Sequence, residues 1–136
     1  MADHGINVSR ADTAVATPNA ATCGIPFVIG TAPLSKATGT AATAGTPVLC
    51  TSYTEAEEQL GYDNDWAKFT VCEVMYYHFK LCACQPVIFL PLAENAEAEA
   101  VAAAVEQVEA CLTMFGIVPD LIMAPGFSKE ATVAAA

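Results

Sequence analysis

An α/β fold, with a mostly parallel sheet and helices on its faces behind an extended N-terminal arm, is what this sequence predicts. Three observations predict it. The stretch Leu121-Ile122-Met123-Ala124 is a short apolar run without alternation, the pattern of a strand buried on both faces. Two runs of the same kind, Ile25-Pro26-Phe27-Val28-Ile29-Gly30 and Pro86-Val87-Ile88-Phe89-Leu90, lie upstream. Stretches with helical periodicity separate them, punctuated by Gly and Pro, and strand–turn–helix is the repeating unit of such a sheet.

Residues 1–21 hold little to pack. They are Ala, Thr and Asp around one alternating piece, Gly5-Ile6-Asn7-Val8-Ser9, whose Ile6 and Val8 would share one side of a lone strand. Such a segment is either a frayed end or an arm that pairs with another sheet edge. The core, residues 22–136, opens with the strand at Ile25, where Pro26 stands at the start and its missing N–H does least harm. Thr31 to Thr46 is rich in Ala, Thr and Gly and reads as a mobile surface loop. Pro47 to Thr51 is a second short strand, and Ser52-Tyr53-Thr54-Glu55 has capping-box spacing for a short helix that Gly61 closes.

The next helix is predicted from Asp63 or Asp65 to about Ala83. Phe69, Cys72, Tyr76, Phe79 and Ala83 fall on one side, and Thr70, Glu73, Tyr77 and Lys80 form a narrow polar stripe. Asn95 to Phe115 carries the clearest period, with Val101, Val105, Val108, Leu112 and Phe115 in one line and acidic residues near its start, where the helix dipole favours them. Gly116 suits the left-handed end of that helix. After the strand at Leu121, Pro125-Gly126 makes a turn and Ser128 is placed to cap a final helix, 128–136. That helix runs out after about two turns without a cap, so the expectation is a core domain cut short at its C-terminus. Strand order does not follow from any of this.

Composition excludes some functions. Fifteen acidic against five basic residues give a net charge of -10, and Arg10, Lys36, Lys68, Lys80 and Lys129 are scattered, which disfavours nucleic-acid and anionic-membrane surfaces. Hydrophobic content of 54% with 15% charged residues leaves apolar surface for a partner or for further chain. No run is long enough to span a bilayer, and no secretory signal is visible. The six cysteines therefore read as reduced thiols, mostly in apolar settings.

Searching for chemistry ends without a site. Cys82-Ala83-Cys84 offers two thiolates but no second pair to complete a metal set. His78 lies on an apolar helix and reads as a packing residue, and His4 has no partner in sequence. Gly24 and Gly30 do not form a dinucleotide fingerprint, and Gly39 to Gly45 lacks a phosphate-binding Lys. Asp120, at the N-terminal end of its strand, reads as a helix-start or loop-bridging residue, since ligands of open α/β sheets gather at the carboxyl ends. No nucleophile, base and orienting group come together, and no catalytic, cofactor-binding or metal-binding residue is assigned.

Several pieces in order resemble the tail sheath protein of contractile bacteriophage tails and related injection machines. They are His4-Gly5-Ile6-Asn7-Val8-Ser9, Gly24-Ile25-Pro26-Phe27-Val28-Ile29-Gly30-Thr31-Ala32-Pro33, Thr46-Pro47-Val48-Leu49-Cys50-Thr51-Ser52, Leu60-Gly61-Tyr62, Tyr77-His78-Phe79-Lys80, Pro86-Val87-Ile88-Phe89 and Gly116 to Gly126. Together they span nearly the whole chain. The resemblance implies a structural, non-catalytic subunit without cofactors, found in a virion or prophage tail and assembled in the bacterial host cytoplasm. Its implied partners are identical subunits in a helical sheath and the tail tube protein, with no nucleic acid and no membrane insertion. It also implies terminal arms that add as strands to neighbouring subunits, which makes Gly5, Ile6, Asn7, Val8 and Ser9 the expected subunit-contact residues. Sheath proteins are longer than this chain, and Leu92 to Asn95 runs directly from strand to helix where larger members carry inserted domains. The competing expectation is a small-ligand or nucleotide-binding flavodoxin-like domain using the turns after Ile29, Cys50, Leu90 and Ala124.

Overall fold

A computed structural model of the protein describes residues 24–84 and 86–136. The predicted α/β architecture is present. Strands β1 (Pro26–Thr31), β2 (Val48–Cys50), β3 (Val87–Leu92) and β4 (Leu121–Met123) form one sheet in the order β2-β3-β1-β4. β1 runs parallel to both β3 and β4, while β2 is antiparallel to β3.

All six residues of β1 and all six of β3 are buried. Their apolar runs do not alternate because each face of the sheet is covered. Val28, Val87 and Phe89 point into one cluster with Leu60, Val71 and Met75. Phe27, Ile29, Ile88 and Leu90 point into the other with Val101 and Cys111. The chain leaves β1 for β3 in one direction across the sheet and leaves β3 for β4 in the other. With crossovers of one hand, opposite directions put the connecting helices on opposite faces.

Helix α1 (Tyr53–Leu60) starts as its sequence demands. Ser52 Oγ accepts the Glu55 N–H at 3.2 Å. The Glu55 carboxylate reaches one residue further back than in a standard capping box, accepting from Thr51 N–H at 2.8 Å and Thr51 Oγ–H at 2.9 Å. The preceding loop is stitched down rather than free. Gly39 and Ala42 donate to the carbonyls of Glu58 and Gln59, Gly45 donates to that of Pro91, and Lys36 pairs with Asp63.

The second helix starts later than predicted. Asp63 and Asp65 spend their carboxylates on a turn, accepting from Asp65 N–H and Lys68 N–H, and Phe69 is non-helical at φ -117° and ψ 79°. Helix α2 (Thr70–Met75) follows and continues as a π-helix, Tyr76–Leu81. The predicted stripe holds only in part: Cys72 and Phe79 are buried, Tyr76 is half-buried, and Ala83, beyond the π segment, is exposed, while Thr70, placed on the polar stripe, is buried against Thr31.

The long helix at Asn95 to Phe115 is three pieces: α3 (Ala98–Ala104), a 3₁₀ stretch (Val105–Glu109) and α4 (Ala110–Phe115). A 3₁₀ residue turns about 20° more than an α residue, so five advance the phase by roughly 100°, one residue's worth. Cys111 therefore takes the buried place predicted for Leu112, which is 58% exposed. Gly116 ends α4 in the left-handed conformation, as expected. Two expectations near the C-terminus are corrected. Ser128 lies in a run of turns and does not cap the last helix, α5 (Ala131–Ala134), which follows an extended Glu130. Among the described residues β4 is at the edge of the sheet, and its Leu121 and Ile122 are exposed, so it is not a strand buried on both faces.

Candidate functional site

The predicted contact residues Gly5, Ile6, Asn7, Val8 and Ser9 lie outside the described residues. What the structure does describe is the place where that segment joins the core. Asp120 holds it there: its Oδ2 accepts the Ile25 N–H at 2.9 Å, and its own N–H donates to the Ile25 carbonyl at 3.0 Å. A Cβ on Gly24 would stand 2.7 Å from the Asp120 Cβ, so the chain passes too close for any other residue without a shift. Asp120 is thus a bridging residue, fixing the start of β1 beside the start of β4. Replacing Asp120 with alanine is expected to cost about 1–2 kcal/mol and to speed hydrogen exchange at the Ile25 amide. Unchanged exchange there would show that the carboxylate holds nothing.

Beside this junction the sheet is open. Among the described residues β4 is hydrogen-bonded on one side only, to β1. Leu121 and Ile122 project to opposite faces, at 54% and 44% exposure, and Val118 and Met114 add exposed apolar surface nearby in sequence. An edge of this kind offers unpaired backbone groups and apolar side chains to an added strand.

The carboxyl ends of β1 and β3, where a flavodoxin-like domain would bind, are taken up by the chain itself. Thr31 and Thr70 clasp each other: each backbone N–H donates to the other's Oγ at 3.2 Å, and Thr31 Oγ–H donates to the Lys68 carbonyl at 2.6 Å. Both residues are buried. Gly30 and Gly126 press on Thr70 from two sides, with hypothetical Cβ atoms 2.4 Å from its Oγ1 and 2.9 Å from its Cγ2. Lys68 and Glu94 pair at 3.0 Å across the connections that follow.

Cys50, Cys72 and Cys111 are buried, Cys84 is half-buried and Cys82 exposed. Burial pushes the Cys50 thiol up to about 12 and the Cys72 thiol up to about 11. Both folded values lie above the ordinary 9.0, so the stability linked to these thiols is whole below pH 9.0 and drains away as pH rises toward 11 and 12. Of the described cysteines in native protein at pH 8, Cys82 is expected to react first with a thiol reagent, and Cys50 and Cys72 only at the rate of unfolding. Peptide mass mapping of the labelled sites checks this, and labelling of Cys50 as fast as Cys82 would contradict it. Among the described residues, no group of three or more His, Cys, Asp and Glu side chains is arranged to hold a metal ion. No helix among them is long and apolar enough to cross a membrane.

One feature escaped the sequence reading. All four tyrosines and the single tryptophan gather in one cluster. Tyr53 and Tyr62 meet edge-on at 5.8 Å, the Trp66 indole N–H donates to the Tyr62 hydroxyl at 3.3 Å, and Trp66 lies 5.4 Å from Tyr76 and 5.7 Å from Tyr77. Lys80 sits over Tyr53, its Nζ 3.9 Å from the ring centroid. The signal was the confinement of these residues to 53–77, a bias that the search for period and motif passed over. No protein-family model matches the chain, and no curated protein is similar to it.

Proposed function

We propose that this chain is a structural subunit of a contractile phage-type tail sheath, polymerising around a tail tube and contracting to drive it through a cell envelope. One observation carries the reading: the apolar-flanked edge of β4, unpaired on one side among the described residues, beside the clamped root of the N-terminal segment. Such an edge accepts a strand from a neighbouring copy, and Gly5 to Ser9, with Ile6 and Val8 as anchors, has the pattern to supply one. Each backbone hydrogen bond contributes only about 1 kcal/mol net, so several must act together. The Ala, Thr and Asp residues between arm and core make a tether that lets subunits rotate and separate while staying joined. The occupied crevice at Thr31 and Thr70 favours this reading over a nucleotide-binding domain.

Electron micrographs of the protein, and of any longer protein that contains this chain, with and without Met1 to Arg10, test the reading. Tubes or rings are expected with the arm and none without it, while circular dichroism stays unchanged. Polymers that persist without the arm would refute its role. Monomers in every form, with saturable nucleotide binding by thermal shift, would favour the ligand-binding domain.

A further inference from the structure

A groove runs beside the aromatic cluster. It is a cavity of about 380 Å³ with Glu73, Val74, Tyr77 and His78 on one side and Met123 and Pro125 on the other. It lies where the π-helical segment faces the turn after β4, with Tyr77 46% exposed and packed against Trp66. The walls are aromatic and apolar with one carboxylate. Burial keeps the His78 imidazole below its usual range, so at neutral pH it adds no positive charge.

We propose that this groove docks a basic segment of another protein, with an apolar side chain seated in the cavity and an adjacent arginine laid across Tyr77 to reach Glu73. Three observations argue for that occupant. Glu73 pairs with no cation among the described residues, whereas Lys36 and Lys68 are held by Asp63 and Glu94, and Lys80 by the Tyr53 ring. Guanidinium suits the vacancy, since it stacks on aromatic faces and pairs with carboxylates in two-point fashion. Tyr77 stands on the groove wall with Trp66 packed against it, residue types enriched in binding hot spots. A second copy of this chain is a poor occupant, because it brings the same charge of -10 and few cations of its own. The inference does not depend on the sheath reading, since the groove is expected to bind whether or not polymers form.

The test is a selection of random seven-residue peptides displayed against the protein, followed by titration of synthetic winners. Trp66 is the sole tryptophan and lies 5.7 Å from the ring of the wall residue Tyr77, so its fluorescence reports binding there. Winners are expected to combine Arg or Lys with a Leu, Met or aromatic residue and to shift the Trp66 emission saturably. Tyr77→Ala should weaken binding about tenfold and Glu73→Gln roughly three- to tenfold, with affinity falling as salt rises. Leu112→Ser, on an exposed site away from the groove, should change nothing. Failure to enrich any peptide, enrichment of acidic or uncharged ones, or binding indifferent to both groove variants would overturn the proposal.

Discussion

Replacing Phe89 with alanine is expected to cost about 3–5 kcal/mol of folding free energy, a large share of what holds a domain of this size. Phe89 is fully buried in β3, opposite Val28 of β1 and Val48 of β2. Its ring lies 6.2 Å from that of Phe79, so it joins the sheet to the π-helical end of the second helix. Removal leaves a cavity between two β-strands and a helix that cannot all close in on it. Urea unfolding should show a lower midpoint with an unchanged slope. Leu112→Ser is the control and should stay within about 0.5 kcal/mol, because Leu112 is 58% exposed. A small loss at Phe89, or a large one at Leu112, would place the core elsewhere.

Gly61→Ala is expected to cost about 3 kcal/mol or more. Gly61 follows α1 at φ 74° and ψ 172°, a region in which side-chain-bearing residues are strained by roughly 1–3 kcal/mol. A methyl group there would also stand 2.4 Å from the Pro33 carbonyl oxygen and 2.9 Å from the Ala37 nitrogen. These are backbone atoms of a turn that is itself hydrogen-bonded, so they cannot swing aside as a side-chain tip would. Gly116→Ala separates the two costs. Gly116 also has positive φ, at 68°, but nothing lies within 4 Å of its hypothetical Cβ, so only about 1–2 kcal/mol should be lost. Equal losses at the two positions in thermal unfolding would mean that the loop yields and the clash is harmless.

Much of the framework was legible because it rests on local rules. The unbroken apolar runs at Pro26 and Val87, the Ser52 cap and the left-handed Gly116 each depend on residues within a turn or two of themselves. The late start of the second helix was written in local chemistry too, in the Asp63 and Asp65 turn, but a helical period read over the same residues hid it. Asp120 was legible only in part. Its place before a strand suggested a bridge, whereas its partner, the Ile25 amide, lies 95 residues away.

What the sequence by itself determined is that the apolar runs at β1 and β3 are core strands of an α/β sheet with helices on its faces, since an unbroken apolar run needs cover on both sides. Only tertiary structure decided the rest. Among the described residues the order β2-β3-β1-β4 leaves β4 with a single neighbour, so an apolar run that reads as interior stands at an edge. The 3₁₀ turns rotate later residues around the helix, burying Cys111 in place of Leu112. The Tyr–Trp cluster, the Thr31–Thr70 clasp and the groove at Glu73 join segments that no spacing rule connects. The physical reason is common to all of these. Hydrophobic pattern states that a residue prefers to leave water, but which neighbour it meets is set by strand order and helical phase, and both are properties of the assembled chain.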